Sequence, residues 1–107
     1  MIAGDSMTGA VNFAASAGTL VLQNGLNGAI TTDTVNTETV TINGGNVTST
    51  ITAVALVNIG PNPVTFGANV SSTNVALTNN ASSLTVGINV VLTSAVTTAN
   101  PNNGVLN

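Results

Sequence analysis

The chain is 107 residues long and has no Lys, Arg, His, Cys, Trp or Tyr; its ionisable side chains are Asp5, Asp33 and Glu38, for a formal net charge of −3. Without cations there is no footprint for a phosphate backbone, which excludes nucleic-acid binding. Without His or Cys the usual zinc, copper and iron sites are excluded, and most nucleophile–base pairs with them, so no catalytic residue and no cofactor is assigned.

What remains favours strands. The sequence holds 18 Thr, 17 Asn and 8 Ser beside 15 Val and 6 Ile. Val, Ile and Thr are stiff at χ1 and suit a pleated surface, and no segment sets apolar residues at helical spacing against a charged face. The predicted class is all-β. With 43% hydrophobic residues and almost no charge, the chain collapses rather than staying disordered. Its longest largely apolar run, Ile51 to Val57, is far below the roughly 20 residues of a membrane helix. The interfacial Trp and Tyr of a membrane barrel are missing too, so no membrane insertion is expected.

In chain order, residues 1–17 read as a small-residue-rich arm and strand entry containing the alternation Val11-Asn12-Phe13, and residues 18–107 as the β domain. Four segments of the domain look alike: Leu20-Val21-Leu22, Val40-Thr41-Ile42, Val64-Thr65-Phe66 and Leu84-Thr85-Val86, each followed within a few residues by Gly. Their starts are 20, 24 and 20 residues apart (20→40→64→84). A second apolar position follows each, at Leu26, Val47, Val70 and Val90, and the last three come after Asn46, Asn69 and Asn89. A period near 20 to 24 with short apolar patches matches one turn of a β-solenoid, in which the asparagines would stack as a ladder.

An intertwined β oligomer or a small β-sandwich fits the same strands. The dipeptides Asn24-Gly25, Asn27-Gly28, Asn43-Gly44 and Asn103-Gly104 suit type I′ hairpin turns, and Gly60-Pro61-Asn62-Pro63 must be a loop. Against a sandwich, the only aromatics are Phe13 and Phe66, whereas two packed sheets fill a gap of about 10 Å with large side chains.

Chemistry has few candidates. Asp33 and Glu38 are an odd number of residues apart and face opposite sides of an extended strand. No acidic loop with calcium-ligand spacing occurs. The Asn-x-Ser/Thr triplets at Asn46, Asn69 and Asn80 are what this composition generates by chance. Assembly is the stronger lead. Uncharged windows such as Ile51 to Ile59 form sticky edges, and without Lys to protect them they need covering. The residues expected to carry packing or assembly are Val11, Phe13, Leu20, Leu22, Val40, Ile42, Val64, Phe66, Leu84 and Val86.

Two resemblances arise at particular residues. The run Gly4-Asp5-Ser6-Met7-Thr8-Gly9-Ala10-Val11-Asn12-Phe13 resembles a phrase common in bacteriophage tail-fibre and related virion proteins, where it precedes intertwined, usually trimeric β structure. Small capsid decoration (cement) proteins share the size. The body, Thr19 to Val96, is similar in texture to the Thr/Asn/Gly-rich passenger domains of autotransporter adhesins, which are β-solenoids. The first resemblance implies a non-enzymatic structural protein of a virion, made in the host cytoplasm. It would be a homo-oligomer (dimer or trimer), or docked on a viral capsid or tail protein. The absence of an export signal after Met1 favours it. The second implies a fragment of a bacterial cell-surface adhesin. A glycan-binding module ranks third, because sugar sites want aromatic platforms.

Overall fold

The computed structural model describes residues 2–3, 7–13, 17–31, 37–98 and 104–107. Its strands follow one another around a coil. The first turn holds β1 (Ile2–Ala3), β2 (Met7–Thr8) and β3 (Val11–Asn12), and the second β4 (Thr19–Leu22), β5 (Leu26–Asn27) and β6 (Ile30–Thr31). The third begins with β7 (Thr39–Ile42) and β8 (Gly45–Val47), and β9 (Ile51–Ile59) runs from it into the fourth. Then come β10 (Val64–Phe66), β11 (Val70–Leu77), β12 (Ser83–Val86), β13 (Leu92–Thr98) and β14 (Val105–Leu106). Every pairing between described strands is parallel. The protein is a parallel β-solenoid with three faces.

Even β-alternation puts one residue inside the coil and the next outside, and the register stacks like on like. On the first face Leu20 lies on Val40, Val40 on Val57 and Val57 on Val75, while Leu22, Ile42, Ile59 and Leu77 form the neighbouring column. On the second face Leu26 lies on Val47 and Val47 on Phe66. On the third, Ile30, Ile51 and Val70 stack. All of these inward side chains are at most 1% exposed. Aliphatic residues of middling size fill so narrow a coil, which is why one buried ring, that of Phe66, suffices.

Corners are made by residues that tolerate unusual backbone. Gly25 (φ +97°) and Gly45 (φ +90°) stack at one corner, and a Cβ on Gly25 would sit 2.7 Å from the Asn46 carbonyl oxygen. At another corner β9 turns within the strand: Ala53 takes φ 59°, and the register with β11 slips there.

Several sequence expectations change in the coil. The Asn-Gly pairs make no hairpins, because all described pairings are parallel; Asn103 lies outside the described residues. The regular series 20→40→64→84 joins two different faces. Leu20 does stack on Val40, and Val64 does stack on Leu84. Val40, however, pairs with Val57, and Val64 pairs with Gly45 across β8 and β10. The proposed ladder of Asn46, Asn69 and Asn89 does not form: Asn46 pairs with Thr65, Asn69 accepts from the backbone of Val91, and Asn89 occupies a corner at φ 62°. Residues 1–17, expected as an arm and strand entry, contain β1, β2 and β3, which extend both sheets. A sandwich is replaced by continuous sheets that wrap one core.

Candidate assembly surface

Seven of the ten expected packing residues (Leu20, Leu22, Val40, Ile42, Val64, Phe66 and Leu84) are buried inside a single chain. Val11 and Phe13 are half-buried against that core, and Val86 is half-exposed in β12. These side chains bury against one another within the coil. The Ile51–Ile59 window is covered in the same way: β9 pairs with β6 and β7 on one edge and with β11 on the other.

The apolar surface left open lies elsewhere. Among the described residues the large hydrophobics exposed to solvent are Ile88, Val91, Val96, Val105 and Leu106, from 37% exposed at Val96 to 93% at Ile88. All follow Gly87. Val96 belongs to β13, which among the described strands pairs only with β11, and Val105 and Leu106 to β14, which among them pairs only with β12. One edge of each strand therefore has no partner strand among the described residues, and no charged residue lies nearby in sequence to discourage pairing. Sequence reasoning missed these residues because it weighed strand periodicity, whereas their exposure depends on where turns fall and which strands end the sheets. The available signal was the absence of charge after Glu38.

No group of three or more His, Cys, Asp or Glu side chains comes together among the described residues. Asp5 and Asp33 lie outside them. Glu38 is fully buried at the start of β7, where alternation with Val40 and Ile42 turns it inward. Its Oε2 accepts a hydrogen bond from the backbone N–H of Thr37 at 3.1 Å, and its Oε1 has no hydrogen-bond partner among the described residues.

The concave places are shallow. One depression of about 370 Å³ lies on the second face beside Asn24, Asn27, Asn46 and Thr48. Another, of about 280 Å³, lies on the third face between Thr50, Asn69 and Val91 on one side and Thr52, Ser71 and Thr93 on the other. Both are walled by small neutral side chains. No family model matches the chain, and no curated protein or solved structure matches it either.

Proposed function

We propose that this chain is a non-enzymatic structural building block, a length of stiff β-solenoid that takes its place in a virion fibre or lattice through its open strand edges. The observation that carries the reading is the gathering of Ile88, Val91, Val96, Val105 and Leu106 at one end of both sheets, on or beside strands paired on one side only. Apolar area of this kind gains about 25 cal/mol per Å² when covered, and unpaired backbone groups gain by extending the ladder into a neighbour. The lack of His, Cys, Lys and Arg supports a mechanical role, and the Gly4–Phe13 phrase supports a virion.

A second reading is favoured by the architecture. A parallel solenoid is what the resemblance to adhesin passengers implies, whereas the tail-fibre resemblance implies intertwined chains. Peptide mass mapping separates the two readings. Peptides of this sequence in purified virions, at the abundance of a repeated subunit, support the first. The same peptides released by shaving intact bacterial cells, within a large exported polypeptide, replace it with the second.

A further inference from the structure

The third face of the coil differs from the other two in what its hydroxyl side chains touch, although its Asn69 accepts a bond from the backbone of Val91. Val11, Ile30, Ile51, Val70 and Leu92 occupy its inward positions, and each is flanked by two residues that point outward. One outward rank is Ala10, Ala29, Thr50, Asn69 and Val91. The other is Asn12, Thr31, Thr52, Ser71 and Thr93. The first rank is held in step throughout, and the second is in step on either side of the register slip between β9 and β11, which falls between Thr52 and Ser71. Asn12 pairs with Thr31, Thr31 with Thr52, and Ser71 with Thr93. Backbone bonds from Val11 to Ala29 (2.9 Å), Ile30 to Thr50 (2.9 Å), Ile51 to Asn69 (3.2 Å) and Val70 to Val91 (3.1 Å) align the first rank.

On the other faces such side chains bond to one another across coils. The amide of Asn58 donates to Thr41 Oγ1 and that of Asn74 to Thr97 Oγ1 on the first face, and Thr48 Oγ1 donates to Asn27 Oδ1 on the second. On the third face the hydroxyls of Thr31, Thr50, Thr52, Ser71 and Thr93 make no hydrogen bond to a described residue; their bonding capacity faces outward. Between the ranks runs the trough of about 280 Å³, floored by Ile51 and Val70. No charged residue occurs in either rank.

A ligand for this face must be uncharged and must repeat in two directions. Its repeats follow from strand geometry: about 4.8 Å from coil to coil, and about 6.7 Å between ranks two residues apart along a strand. Sugars are poorly served, because no aromatic ring lies in either rank and Phe66 is fully buried. Ordered water is well served. Oxygen rows in hexagonal ice repeat at closely similar distances, and a rank of waters in the trough can bridge hydroxyls on both sides. The methyls of Thr, Ala and Val exclude competing arrangements of that layer. We propose that the third face binds ice, with Thr31, Thr52, Ser71 and Thr93 anchoring rows of lattice water beside Thr50.

The test is partition of the purified 107-residue chain into slowly growing ice, together with inhibition of ice recrystallisation. The wild-type chain is expected to enter the ice and to keep crystals small. Thr52→Tyr and Thr93→Tyr should each abolish both effects, while Asn46→Tyr on the second face leaves them unchanged; circular dichroism melts of the three variants should match wild type. Exclusion of the wild type from ice overturns the proposal, as does incorporation that survives Thr52→Tyr with Thr93→Tyr. Failure in ice combined with Thr52-dependent retention on microcrystalline cellulose also overturns it and assigns the face to a neutral polysaccharide.

Discussion

Ser82 locks onto Ile59 across the coil: its hydroxyl lies 3.0 Å from the Ile59 carbonyl oxygen and 2.9 Å from that of Gly60, and it accepts the backbone N–H of Asn79 at 3.0 Å. It is 1% exposed. One small side chain therefore satisfies a turn, from Asn79 to Ser82, and the corner beneath it. Ser82→Ala takes this partner from the buried Gly60 carbonyl and from the Asn79 N–H, while the Ile59 carbonyl keeps the bonds it accepts from the N–H and Oγ1 of Thr78. It should lower the unfolding free energy by about 1–3 kcal/mol, measured by urea denaturation; a change within experimental scatter would show that the corner relaxes to admit water.

Phe66 is the largest side chain of the core and is fully buried. It stacks between Val47 and Val86 on the second face, and no other aromatic ring lies in the fully buried core to close over a void. Phe66→Ala should cost about 3–5 kcal/mol. A loss under about 0.5 kcal/mol, the range of surface substitutions, would place the ring at the surface.

The sequence and the structure agree where a pattern is local and part where it depends on which face a segment occupies. Alternation in Leu20-Val21-Leu22 and Val40-Thr41-Ile42 tells which side chains are inward, and these two strands do pair. The step from Val40 to Val64 misleads because all three faces share one vocabulary, apolar–x–apolar and then a Gly or Asn corner. A chain walking round a triangle meets that vocabulary three times per turn, so similarity alone does not say whether one face or three have passed. β9 hides a corner altogether: Ala53 turns the chain without Gly or Pro, so the run from Ile51 to Ile59 reads as one straight strand. The candidate surface was still less legible. Ile88 and Val91 look like core residues in sequence, but Ile88 lies in the turn after β12 and Val91 points outward beside Leu92.

Glu38 tests how the core tolerates a polar group. Its carboxyl is fully buried with one oxygen unpartnered among the described residues, a position that costs free energy relative to water. Glu38→Met keeps the length of the side chain and removes that cost, and Thr37, which is exposed, can turn its N–H to solvent. Stability at neutral pH should rise by about 1–3 kcal/mol. A fall would mean that the carboxyl anchors the corner before β7.

Gly28 marks the closest approach between turns. A Cβ there would fall on the carbonyl oxygen of Gly9, and the next residues, Ala29 to Thr31, accept the bonds that hold β3 in place. Gly28→Ala should push the first turn away from the second without reaching the Phe66 core. Hydrogen exchange is expected to show lost protection at Val11 and Phe13 with protection at Val57 and Val75 unchanged. Uniform loss across all four would mean that the turns unfold as one unit, as a strongly coupled repeat array does.

Self-association through the open edges is the last consequence. β13 offers seven residues without charge or proline, paired on one side only among the described strands, and such an edge recruits another strand unless a charge prevents it. Val96 sits within it, 37% exposed. Val96→Lys places an ammonium where a pairing neighbour would have to bury it, while the coil beneath keeps its own contacts. In sedimentation velocity at micromolar concentration the wild-type chain should run as oligomers, and Val96→Lys should shift it toward the monomer with an unfolding free energy within about 0.5 kcal/mol of wild type. A wild-type chain that stays monomeric would remove the edge from the account and leave the solenoid as a spacer that acts by stiffness alone.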